Sequence, residues 1–167
     1  EESDQILHML NSMMEISEAE TGVISLMREE VDLSRLVAEV VDVYTLVADD
    51  AGMKIDSQPG FGVTVEGDAG RLRQVVGNLL DNAVKYGKRG TTIEVRLSSG
   101  PCGNQESCAV LSVHNVGSGI SEEDLPHIWA RLYRGTGSGR TEGLGLGLAL
   151  VKAVVEAHGG SVDVESV

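Results

Sequence analysis

The sequence contains no apolar run approaching the ~18 residues of a membrane-spanning helix, and it opens on no signal-peptide pattern. Cysteine is scarce: Cys102 and Cys108 are too few for a disulfide scaffold and suit a reduced, cytoplasmic setting; in their shared loop, pairing by proximity stays open, with ordinary loop thiols favoured. One tryptophan, three tyrosines and one phenylalanine offer few platforms on which single-stranded nucleic acid could stack. Basic residues are outnumbered, 13 against 26 acidic ones, for a formal charge of −13. That balance repels phosphate backbones and anionic lipid heads, so neither a nucleic-acid partner nor direct membrane contact is expected. What the chain does have is 41% apolar residues in 167, enough for one cored domain and a short appendage. It also has 21 glycines, eight of them between Gly117 and Gly147, a concentration expected where backbone approaches something closely.

Ile6, Met9, Leu10, Met13 and Ile16 form one narrow apolar stripe, the pattern of a coiled-coil or bundle seam, ending near Thr21-Gly22. An extended piece from Val23 to about Val31 precedes Asp32, which predicts an N-cap for a helix burying Leu33, Leu36, Val37, Val40, Tyr44 and Val47. Met53–Ser57 and Val63–Glu66 are short strand candidates around a Gln58-Pro59-Gly60 turn. Asp68 predicts the cap of a second helix with Leu72, Val75, Val76, Leu79, Leu80, Ala83 and Val84 inward. Thr91–Ser98 and Ala109–His114 read as strands joined by a polar loop, Ser99–Ser107, and the side to which His114 points stays open. Ser121-Glu122-Glu123-Asp124 resembles a capping box opening a short helix. Gly135–Glu142 reads as a mobile loop, Gly145–His158 as a helix with Leu148, Val151, Val154 and Val155 inward, and Ser161–Val167 as a last strand. Without strict βαβ alternation, an α+β or two-layer sandwich is favoured over a doubly wound sheet.

Three constellations could carry chemistry. On the second helix, Asn78, Asn82, Lys85 and Tyr86 share a side, because spacings of three and four stack residues. Carboxamide oxygens suit Mg²⁺, and an ammonium suits the phosphates that complete its coordination; the same pattern also describes a solvated polar face. Asn115-Val116-Gly117-Ser118-Gly119-Ile120 leaves bare backbone at a strand exit, suited to a planar ligand or to a plain loop. Gly143-Leu144-Gly145-Leu146-Gly147-Leu148 opens a helix whose freed amides and dipole favour an anion, or else packs that helix tightly. No Walker loop and no Rossmann fingerprint is present.

In this order, and with Leu125–Arg134, Ala149–Lys152 and Glu156–Gly160 around them, the motifs resemble the catalytic, ATP-binding region of sensor histidine kinases. That region belongs to the wider superfamily of DNA gyrase B, Hsp90 and MutL. The resemblance runs from about Glu20 to the C-terminus. It implies a two-layer α/β sandwich of the Bergerat type, with a mixed sheet and helices on one face. Residues 1–20 would be the end of the dimerisation helix pair, and 21–167 the catalytic domain without the family's last strand. Asn82 would be the Mg²⁺ ligand, with Asn78 as polar support and Lys85 meeting phosphate, these two being the catalytic residues. Tyr86, Asn115, Gly117, Gly119 and Ile120 would bound the base. Gly143, Leu144, Gly145, Leu146, Gly147 and Leu148 would hold the phosphates, with Arg134 and Arg140 supplying charge around the loop.

The partners so implied are ATP, a phosphoacceptor domain in a homodimer, and a response regulator. The whole protein is free to be membrane-anchored. His8 lacks the family's phosphoacceptor context, so this stretch reads as a fragment that should not phosphorylate itself. Asn115 departs from the family's aspartate: it keeps a carbonyl acceptor but loses the charge, weakening a charge-assisted bond by about 1–3 kcal/mol. Two readings therefore stand at this stage, a kinase domain of reduced nucleotide affinity and a degenerate domain that senses nucleotide or docks a regulator. A superfamily ATPase without kinase activity is disfavoured, because Asn78 stands where those enzymes carry a water-activating glutamate.

Overall fold

The computed structural model describes residues 25–102, 105–133, 135 and 145–166. The N-terminal apolar stripe lies outside these residues, as does the expected loop apart from Gly135. In chain order the elements are β1 (Glu29–Asp32), α1 (Leu33–Asp50), β2 (Lys54–Gln58), β3 (Thr64–Gly67), α2 (Ala69–Tyr86), β4 (Thr92–Cys102) and β5 (Gln105–His114). A short 3-10 turn (Leu125–His127) and α3 (Gly147–Ala157) follow.

Both long helices start where a carboxylate can satisfy orphan amides. Asp32 accepts from Arg35 N at 2.9 Å, and Asp68 accepts from Arg71 N at 3.0 Å and from Met27 N at 3.1 Å. Burial opposes the Asp68 charge, but these backbone donors hold its carboxyl below the usual aspartate range.

The chain forms two compact units, Met27–Ser118 and a second that includes Gly119 onward. In the first, β2 runs parallel to β4 and β5 antiparallel to it, a mixed sheet in the order β2-β4-β5; β1 and β3 form a separate antiparallel pair. Ile93, Val95 and Leu97 of β4 point to one face and are buried with Val37, Val40 and Val41 of α1 and Val76, Leu80 and Ala83 of α2. Fully burying such a side chain contributes about 1.5–3 kcal/mol. Helices on one face of a mixed sheet are the expected two-layer sandwich. The opposite face carries Glu94 paired with His114, so His114 points away from the helices and is exposed.

Several boundaries differ from expectation. On α1 the inward face includes Val41 and Ala48, while Val47, about 100° around the helix from Ala48, is 45% exposed. Strands β4 and β5 extend through most of the expected polar loop, pairing Gly100 with Cys108 before a register shift that sets Cys102 opposite Gln105. Cys108 is disulfide-bonded, which corrects the reading of an ordinary loop thiol. Residues 161–166 form no strand, since an extended segment becomes one only by pairing its backbone, and here Ser166 Oγ instead accepts from Ile120 N at 2.7 Å. No helix among the described residues is long and apolar enough to cross a membrane.

Candidate functional site

The amide-bearing face of α2 lies opposite its buried Val76, Leu80 and Ala83. Asn78 Nδ2 donates to Gln74 O at 2.9 Å, one turn back, which commits one of its two N–H donors to the helix. Lys85 Nζ pairs with Asp81 at 2.6 Å on the exposed side. A surface pair of this kind is worth only about 0.3–0.5 kcal/mol, so Lys85 exchanges partners at little cost.

Asn82 differs from both. Its Nδ2 is buried without a hydrogen-bond partner among the described residues. A buried donor left unpaired costs about 1–3 kcal/mol, so this carboxamide stands ready for an acceptor such as a phosphate oxygen. The oxygen of the same carboxamide is a hard ligand suited to Mg²⁺. The donor set therefore fits a metal-bound phosphate.

The first glycine stretch meets the end of this helix. Gly87 and Gly117 form an antiparallel bridge, and Lys88 N donates to Val116 O at 2.7 Å. A Cβ on Gly117 would overlap the Tyr86 carbonyl oxygen. Bare backbone is thus required there by the protein itself, and the structure brings Tyr86 and Gly117 together. Tyr86 and Val116 are 44% and 48% exposed, leaving an aromatic and an aliphatic surface open beside that bridge. Asn115 follows β5 and is half-buried.

In the second unit, Ile120 is anchored by its bond to Ser166. The last helix begins at Gly147, two residues later than expected. Gly145 sits in left-handed backbone at φ 68°, outside the helix, and a Cβ on it would lie 2.6 Å from Tyr133 O. Leu146 occupies the N-cap with no side-chain hydrogen bond, and the first turn holds no acidic residue, so among the described residues no side chain caps the amides of Gly147 and Leu148. Arg134, Arg140, Gly143 and Leu144 lie outside the described residues.

The sequence reading missed Asp124, the one buried charged residue among those described. Ser121 Oγ accepts from Asp124 N at 3.1 Å, as a capping motif suggests. The Asp124 side chain instead accepts from Tyr133 Oη at 2.7 Å. That bond, followed by burial, pushes the Tyr133 hydroxyl above its ordinary pKa. The only signal in the sequence was an acid three residues after a serine, which marks a turn and names no tertiary partner. A separate shallow groove of about 250 Å³ lies at the start of α1, lined by residues including Arg35, Glu39 and Arg73. None of the sequence-predicted site residues lines it.

A mixed sheet backed by helices, an unpartnered amide on α2 and glycine-rich backbone at a strand exit and a helix start define a nucleotide-binding class of fold. The family described as histidine kinase-, DNA gyrase B- and HSP90-like ATPase matches residues 67–167, and the chain belongs to it. The sensor histidine kinase CusS of Escherichia coli K12 is 33% identical over 168 residues, covering 99% of this chain and 34% of CusS. Full-length ShkA, solved in complex with AMPPNP, superposes with a TM-score of 0.75 at 26% identity over 93% of this chain and 32% of ShkA. The mycobacterial sensor histidine kinase MprB gives a TM-score of 0.64 at 29% identity, covering 80% of this chain and 81% of that one. The chain spans about a third of the length of the curated relatives it matches.

Proposed function

We propose that this chain is the ATP-binding catalytic domain of a sensor histidine kinase, which presents the γ-phosphate of ATP to a histidine on a dimerisation domain of the same homodimer. A response regulator then receives the phosphoryl group. The observation that carries this reading is the buried Nδ2 of Asn82, unpartnered among the described residues and three positions before Lys85, in a chain of this ATPase family. Kinases among the similar proteins favour it over a degenerate domain.

The protein's part in phosphoryl transfer is positioning and charge, since the reaction asks little covalent chemistry of its residues. Asn82 holds Mg²⁺, which when bound neutralises phosphate charge; Asn78 supports it, and Lys85 leaves Asp81 to meet phosphate oxygens. Tyr86, Asn115, Gly117, Gly119 and Ile120 bound the purine, with the Asn115 carbonyl accepting from its amino group. The amides of the segment from Gly143 to Leu148 receive the phosphates, with Arg134 and Arg140 adding positive charge. The N-terminal stripe, residues 1–20, is the end of the dimerisation helix.

Calorimetric titration with Mg²⁺ and a non-hydrolysable ATP analogue tests this. Asn82→Ala is expected to weaken binding about a hundredfold, and Asn115→Asp to tighten it about tenfold by restoring a charged acceptor. No heat from both the unmodified chain and Asn115→Asp, or an Asn82→Ala affinity equal to that of the unmodified chain, overturns the reading.

A further inference from the structure

Asp124 and Tyr133 are unexplained by the roles above, yet a buried carboxylate is costly unless it is paired. Its Oδ1 takes the Tyr133 hydroxyl at 2.7 Å, and its Oδ2 faces Gly135, where a Cβ would come within 2.9 Å. The ring of His127 stands 5.4 Å from that of Tyr133, tilted by 43°, and supports it from the 3-10 turn.

Beyond the tyrosine ring the contacts continue through main chain. Leu132, at φ 58°, adopts left-handed backbone that a leucine rarely takes, and its N–H donates to Gly145 O at 2.9 Å. Gly145 in turn lies so close to Leu132 and Tyr133 that a Cβ would come 2.8 Å from Leu132 C and 3.0 Å from Tyr133 N. Leu146 follows directly as the N-cap of α3 and accepts from Leu150 N at 2.9 Å. A continuous series of contacts thus runs from the buried carboxylate to the first turn of α3. Among the described residues the helix start has no side-chain cap to fix it.

We infer that Tyr133, held by the carboxylate of Asp124, is a positioning residue that sets the backbone of Gly145–Gly147 for phosphate; this rests on the nucleotide-binding reading above. The hydroxyl donates to Asp124. It holds the Leu132-Tyr133 backbone in the one conformation against which Gly145 fits, and so aims the amides that open α3.

The test compares Tyr133→Phe with the unmodified chain for two ligands, the non-hydrolysable ATP analogue with Mg²⁺ and adenosine alone. A positioning role predicts that the triphosphate binds about tenfold more weakly while adenosine stays within about twofold. Asp124→Asn keeps an acceptor oxygen and is expected to retain most of the triphosphate affinity. Equal losses for both ligands, or no loss for either, overturn the inference. Amide hydrogen exchange reads the same linkage without ligand. In Tyr133→Phe, exchange is expected to quicken at Gly145–Leu148 and stay unchanged at Val154–Val155; unchanged exchange at Gly145–Leu148 overturns it. If the unmodified chain binds neither ligand, the nucleotide reading fails and the exchange result still decides whether Tyr133 orders this backbone.

Discussion

From Met27 to Ser118 the chain is held by apolar burial, with fifteen buried hydrophobic side chains in one cluster under the sheet. From Gly119 to Gly135, by contrast, Asp124 is the only buried side chain among the described residues. What orders that stretch is hydrogen bonding, including the bonds of Asp124 to Ser121 and Tyr133 and of Ile120 to Ser166, with one ring contact and close main-chain approaches. Apolar packing is strong and indifferent to small shifts in direction. Hydrogen bonds and close approaches are directional, and they leave backbone free to meet a ligand. Segments with few buried apolar contacts open at low free-energy cost, which suits them to binding.

The contrast can be broken or sharpened by substitution. Leu80 is fully buried, so Leu80→Ala should destabilise the chain by about 2–5 kcal/mol, read as a lowered denaturation midpoint. A far smaller change would mean that the Met27–Ser118 core does not govern stability. Gly117→Ala drives a Cβ into the Tyr86 carbonyl and should cost about 1–3 kcal/mol, with weaker nucleotide binding than the global loss explains. Intact affinity there would separate the Gly87–Gly117 bridge from the site.

Asp68→Ala should cost about 0.5–2 kcal/mol by uncapping α2. The Asp68 carboxyl is held below its unfolded value, so its contribution is full above the unfolded pKa of about 3.9 and is lost as pH falls through the folded one. The gap between Asp68→Ala and the unmodified chain should therefore close in acid, as measured by urea titration across pH. The smallest effect is expected for Asp81→Ala, which breaks the exposed pair with Lys85 at a cost of no more than about 0.5 kcal/mol. Nucleotide affinity should hold or rise slightly, because Lys85 no longer has to leave a partner.

Much of the first unit was legible because local rules govern it. Asp32 and Asp68 precede apolar periodicity, and a capping carboxylate is a property of a few adjacent residues. Strand lengths were less legible: Ser99–Ser107 is polar and glycine-bearing, yet pairing with the opposite arm carries β4 and β5 through it. Val47 and Ala48 differ by one position on a helix, and only the neighbouring layer selects which is inward. In the candidate site, residue types announced Asn82 and the glycine stretches. Asp124 looked like a turn residue because nothing in its neighbourhood reveals the tyrosine nine positions on.

By itself, the sequence determined where the capped helices start, most of the residues they bury and the order of amide and glycine motifs that places the chain in its ATPase family. Those properties depend on neighbours within a turn or two of chain. Tertiary structure alone decided that Asn82 Nδ2 is buried without a partner among the described residues, that Gly117 answers to the carbonyl of Tyr86, that Cys108 is bonded and that Asp124 grips Tyr133. Each depends on groups brought together from separate elements, and contact between such groups leaves no mark in local periodicity.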